Sequence, residues 1–132
     1  MALLDDVKAT LITGGIGVTD TSSAEEWAIH LGHMPDSQDQ AIAIMELPGD
    51  QPESNWKIDF PSFQIIVRGK PYEYDTARTK IQDAFNLIHN EDTVFPSAYV
   101  NVLGATSAPI SLGQDENKRP LLAWVFNVIK DR

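Results

Sequence analysis

The amino-acid sequence predicts an α+β fold, a mostly antiparallel or mixed sheet of four to five strands packed with two main helices. Three observations carry this expectation. Apolar residues recur at the 3.6-residue spacing of a half-buried helix at Leu3, Leu4, Val7 and Leu11, and again at Tyr74, Ala77, Ile81, Ala84, Phe85 and Ile88. Elsewhere short apolar stretches alternate in the manner of strands, most clearly over residues 63–68 and 121–129. The order helix, strands, helix, strands, punctuated by Gly and Pro, leaves helices to cover one face of a hairpin-rich sheet.

The first helix is expected over residues 2–13, stopping at Gly14-Gly15, where glycine takes the left-handed conformation without strain. Residues 14–26, rich in Gly, Ser, Thr and Asp, read as an irregular connector. Trp27-Ala-Ile-His-Leu31 reads as a short strand and Met34-Pro35-Asp36 as a turn. Ala41-Ile-Ala-Ile-Met-Glu-Leu47 is apolar on both faces, as a covered strand is. Pro48-Gly49-Asp50 is expected to end it, and the polar residues 50–56, with Pro52, to form an exposed loop. In the next strand Phe63, Ile65 and Val67 share one face and Gln64, Ile66 and Arg68 the other, with Gly69-Lys70-Pro71 as its stop.

The second helix follows from residue 72 or 73 to 89, with Glu73 and Asp75 at the positive end of its dipole. Residues 99–103 are a strand candidate. Residues 105–118, with Pro109 and Gly113, read as a long loop. The closing strand places Leu122, Trp124, Phe126 and Val128 on one face.

At 132 residues the chain is expected to form one domain with one core. Without cysteine it has neither a disulfide framework nor thiolate chemistry. No apolar run approaches the roughly 18–20 residues that span a bilayer. The acidic start Met1-Ala-Leu-Leu-Asp-Asp6 lacks the basic region of a secretory signal, so retention in the cytoplasm is expected. The net charge of −9 argues against a duplex-binding surface, which needs clustered Lys and Arg, and favours solubility.

Catalytic signatures do not assemble. Gly14-Gly-Ile-Gly17 follows a helix and has the wrong spacing for a phosphate loop, so it reads as a helix cap. His30 and His33 find no ligand set around them, and no metal or cofactor is expected. The neighbouring acids Asp5 and Asp6, like Glu25 and Glu26, diverge on a helix and read as solvated. None of the serines lies in a nucleophile elbow.

Interaction residues are more informative. Trp124 shares the apolar face of the last strand and reads as core. Trp56, beside a polar loop, is either a lid on the core or a partner anchor. Arg68 reads as a solvated charge, although Ile66 on the same face suggests a cover. Arg119 closes the run Gly113-Gln-Asp-Glu-Asn-Lys-Arg119, a turn that Asp115 and Asn117 would stabilise.

Taken in order, these pieces resemble the tail terminator and tail-completion proteins of long-tailed phages, the phage minor capsid protein family. The matching pieces are Leu3-Leu4-Asp5 in the first helix, Met34-Pro35-Asp36, and Ala41-Ile-Ala-Ile-Met-Glu-Leu-Pro-Gly49. They continue with Phe63-Gln-Ile-Ile-Val-Arg-Gly69, Tyr72 and its helix, and the loop carrying Pro109, Gly113, Asp115 and Arg119. The resemblance implies a small subunit, not an enzyme, that forms a ring, usually of six, on the head-proximal end of the tail tube. Such a ring ends tube polymerisation and prepares the tail for joining to the head. Its implied partners are copies of itself, the tail tube protein and the head connector protein, with DNA passing through the lumen without specific binding and no membrane involved. It would be assembled in the host cytoplasm and reside in the virion.

Residues expected at interfaces are Trp56, Arg68, Tyr72, Asp115 and Arg119. Another head–tail connector, a stopper or head-completion protein, shares these traits. A small ligand-binding or enzymatic domain is the reading from a different class, and it would need a pocket of convergent polar groups.

Overall fold

The computed structural model describes residues 3–18, 27–34, 39–53, 58–89, 99–104 and 108–131. In chain order the elements are α1 (Leu3–Thr13), β1 (Ala28–Leu31), β2 (Ala41–Glu53), β3 (Ile58–Arg68), α2 (Tyr74–Ile88), β4 (Tyr99–Gly104), β5 (Ile110–Gln114) and β6 (Pro120–Asp131).

Helix α1 turns Val7 and Leu11 into the core and ends in a glycine cap. The Ile16 N–H reaches back to the Leu11 carbonyl at 2.9 Å and the Gly15 N–H to the Ile12 carbonyl at 3.1 Å, with Gly15 at φ 78°. This is the paired bonding of a Schellman cap, and the buried Ile16 and Leu11 supply its apolar contact. Gly17 is there for space: a Cβ would lie 2.6 Å from the Trp27 carbonyl oxygen and 2.8 Å from Ile29 Cγ1. Gly15→Ala is expected to cost about 1 kcal/mol, the strain of a left-handed side chain. Gly17→Ala should cost more, because backbone has to move. Thermal melts should rank wild type, Gly15→Ala and Gly17→Ala in that order; a Gly17→Ala protein as stable as wild type would contradict the packing described.

Asp6 is a correction to the sequence reading: it is buried, not solvated. It lies in the first turn of α1, where unpaired amides and the helix dipole favour a carboxylate.

The sheet runs β1-β2-β3-β6, and β4 and β5 share the outer edge of β6. β1 and β2 are parallel and the other pairs antiparallel, so the α+β class and mixed sheet are as expected. Cross-strand rows are apolar: Ile44 opposes Ile65, which opposes Trp124, and Ile42 opposes Val67, which opposes Leu122. Both helices cover this face, and Val7 and Leu11 of α1 join Ala77, Ile81, Ala84 and Ile88 of α2 in one cluster with it. Phe85 stacks on Trp124 with ring centroids 3.9 Å apart, and Phe63 on Phe126 at 5.1 Å. The outer side of α2 carries a ladder in which Arg78 donates to Gln82 and Gln82 to Asn86. Lys80 ties α2 to the segment after α1, donating to the Ile16 carbonyl at 3.1 Å with its ammonium 5.4 Å from the Trp27 ring. Burial lowers the Lys80 pKa, opposed by Asp83.

The opposite face carries Ala43, Met45, Gln64, Ile66, Ala123 and Val125, and no described helix lies on it.

The strands differ from expectation in three places, and the first is that β3 begins at Ile58 rather than at Phe63. β2 does not stop at Pro48 but continues to Glu53, with register shifts between Leu47 and Asp50 and again between Asp50 and Glu53. β1 pairs only with residues 41–44, so beyond Ile44 that side of β2 has no β1 partner. Proline lacks an amide donor and is tolerated at such edges and bulges. The long loop expected over 105–118 contains β5, a strand with every residue exposed and a bulge between Ser111 and Gly113.

Candidate assembly surface

At one end of the sheet two turns are hydrogen-bonded together. Where β3 ends, the Gly69 N–H donates to the Pro120 carbonyl at 3.1 Å; one turn further the Tyr72 N–H donates to the Lys118 carbonyl at 3.0 Å. Tyr72 and Lys118 are the described non-glycine residues with positive φ, both at 65°. Left-handed backbone costs a side-chain-bearing residue roughly 1–2 kcal/mol, so something must hold the pair in place.

What holds it is a brace of two buried arginines. Asp115 organises the turn: Oδ1 accepts the N–H groups of Asn117 (2.9 Å) and Arg119 (3.0 Å), and Oδ2 accepts Arg119 Nε at 2.7 Å. Arg119 is only 2% exposed, and its Nη1 also pairs with Asp39 Oδ1 at 3.4 Å. Arg68, 3% exposed, donates Nε to the Asp39 carbonyl at 3.1 Å. Asp39 therefore sits against both guanidinium groups, tying the start of β2 to the ends of β3 and of the β5–β6 turn.

Burial by itself would raise the Asp115 pKa; the backbone and side-chain hydrogen bonds from Arg119, that from Asn117 and the Arg119 charge outweigh it and hold the carboxyl below its ordinary value. A carboxyl with a depressed folded-state pKa stabilises the fold fully above its unfolded value near 4 and loses that contribution as pH falls through the folded value. The stability gap between wild type and Asp115→Asn should accordingly be constant from pH 7 down to about 5 and narrow in stronger acid. Urea titrations over that range check it; a gap that widened in acid would reverse the assignment.

Of the residues expected at interfaces, Arg68, Tyr72, Asp115 and Arg119 gather here, and Trp56 lies outside the described residues. Tyr72 is 76% exposed. Arg68 is a correction: the segment at Asp39 covers it, so it is no solvated charge. Asp39 was missed by sequence reasoning, and no local pattern announces it, because its ion pair with Arg119 spans 80 residues. His30 and His33 lie with rings 5.4 Å apart, and no group of three or more potential ligands that could hold a metal occurs among the described residues.

No curated protein matches the sequence. Among solved structures, a chain in the virion of native gene transfer agent (GTA) particle superposes with a TM-score of 0.68 at 13% identity. The alignment covers 99% of this chain and 96% of that one, and at such identity it shows the shared fold. The family described as bacteriophage tail terminator protein matches residues 11–132, from the end of α1 through β6. The chain belongs to the bacteriophage tail terminator family, and is a structural protein of the virion tail rather than an enzyme.

Proposed function

We propose that residues 1–132 act as a single tail-terminator-like domain that assembles as a ring of six on the head-proximal end of a tail tube. The ring ends tube polymerisation and prepares the tail for joining to the head. The observation that carries this reading is the family match over residues 11–132. The fold supplies what a ring requires. Heterologous assembly needs two different patches on one subunit. The half-buried strip of the helix-free face formed by Met45, Gln64, Ile66 and Val125 and the exposed turns around Tyr72 are two candidates for them. In this reading Tyr72 and Asp115, with Trp56, lie at contacts, and Arg68 and Arg119 serve them from beneath by fixing the turns. The partners are further copies, the tail tube protein and the head connector protein. The net charge of −9 suits a lumen through which DNA slides without sticking.

A stop codon in the gene, with negative-stain electron microscopy of the lysate, tests the role. Overlong tails beside full heads are the expected result. Normal-length tails lying unattached would move the protein to the joining step, and intact infectious particles would remove the assembly reading.

A further inference from the structure

The central strands of this sheet are apolar on both faces, and the two helices cover one of them. On the other face the register assembles a cluster around Ala123 of β6. Ile66 of β3 and Ile110 of β5 flank Ala123 on either side, and Leu121 and Val125 stand two residues away along β6. Ala123 is buried beneath them; Ile66, Leu121 and Val125 are half-buried, and Ile110 is 47% exposed. None of the five carries an ionisable group. Strands apolar on both faces call for a layer against each, and no described helix supplies the second layer here.

Tyr72 and Tyr74, both exposed, lie on the helix side of the sheet, at the start of α2. The tyrosine pair and the Ala123 cluster therefore face different directions on one copy and cannot meet within it. Between two copies they can, with the helix layer of one seated on this sheet face of the next. Such a contact is heterologous, as a ring demands. Charge selects the same pairing. Glu73 and Asp75, both exposed, edge the tyrosines, so turn against turn would set these carboxylates against their own counterparts in a chain of net charge −9. The uncharged cluster receives an acid-edged turn without that repulsion. The turn also comes already shaped. Tyr72 is held left-handed by its hydrogen bond to Lys118 and by the arginine brace, so little ordering is left for binding.

We infer that Tyr72 and Tyr74 of one copy pack on the cluster of Ile66, Ile110, Leu121 and Val125 of the next, making the subunit contact of the ring. This deepens the assembly reading above and rests on it. The chain contains no cysteine, so introduced thiols report the contact without background from the chain itself. Full-length copies carrying Tyr72→Cys and others carrying Ile110→Cys are produced together in assembling particles, treated with a bis-maleimide and mapped by mass spectrometry. A second mixture pairs Tyr74→Cys with Ile110→Cys. The expected product from either mixture is a dimer holding one copy of each variant. Gln64, half-buried beside Val125, tests the charge argument. Gln64→Glu added to the Ile110→Cys copies keeps the shape, places a carboxylate on the receiving face, and should lower the yield about tenfold. Dimers from Tyr72→Cys copies alone, links to another virion protein, or no dimer from either mixture would overturn the proposal, as would a yield unchanged by Gln64→Glu. A stop-codon lysate with normal-length, unattached tails would count against tube termination and leave the cross-linked contact standing, so the two failures are distinguishable.

Discussion

Arg119→Glu is expected to lower stability by about 3–5 kcal/mol, the range for breaking a buried ion pair so that a charge is left uncompensated. The guanidinium is 2% exposed and is gripped by Asp115 at 2.7 Å, with Asp39 beyond it at 3.4 Å. A glutamate in that place sets three carboxylates against one another and removes the group that holds the Asp115 turn closed. In a domain whose total stability is on the order of 5–15 kcal/mol, such a loss shifts the thermal midpoint by roughly 10 °C or more. Arg119→Met is the informative companion. It keeps most of the aliphatic stem but loses the charge and the donors to Asp115 and Asp39, and Asp39, half exposed, can recover water. A drop of about 2 kcal/mol is expected for it, the scale of one unmade charged hydrogen bond. Circular dichroism melts at pH 7 distinguish the cases; an Arg119→Glu protein as stable as wild type would mean that the brace does not hold the fold. The sequence alone suggests that such a change would leave a sound monomer and spoil only assembly. Burial of the guanidinium makes folding the first thing affected.

That revision shows what a linear pattern encodes. Helix α2 was legible because its core face is written locally, with Ala77, Ile81, Ala84 and Ile88 recurring at helical spacing and all buried. The alternation of Phe63, Ile65 and Val67 likewise records a sheet with one helix-covered face. β2 beyond Leu47 was not legible, because whether a proline can sit in a strand depends on what pairs beside it. β1 is four residues long and leaves room there, a fact of the neighbouring strand. β5 has no buried side to alternate with, so its five exposed residues read as loop. In the candidate site, Tyr72 and the Asp115–Arg119 turn were visible as local chemistry. Their union was not: the Tyr72–Lys118 hydrogen bond and the grip of both arginines on Asp39 join positions far apart in sequence.

Trp124→Ala should be the most damaging change in the apolar core, at about 3–5 kcal/mol for a buried tryptophan truncated to alanine. Trp124 is 1% exposed on β6, the strand that joins β3 on one side to β4 and β5 on the other. Its ring lies face to face with Phe85 of α2 at 3.9 Å and an interplanar angle of 14°. The loss therefore combines the removed volume with the main aromatic contact between α2 and the sheet. A double-mutant cycle with Phe85→Leu separates the two. If the stacking contributes independently of volume, the coupling should be about 0.5–1.5 kcal/mol. Additive effects in urea titrations would leave cavity formation as the whole explanation. The functional consequence follows from where β6 leads. Its first residue, Pro120, accepts the Gly69 N–H and directly follows Arg119, so a loosened β6 releases the joined turns as well as the core. Protection of the Tyr72 amide from hydrogen exchange should thus fall in Trp124→Ala together with that of the β6 amides. If the Tyr72 amide kept wild-type protection while β6 lost it, the turns would be held by the arginine brace independently of the core.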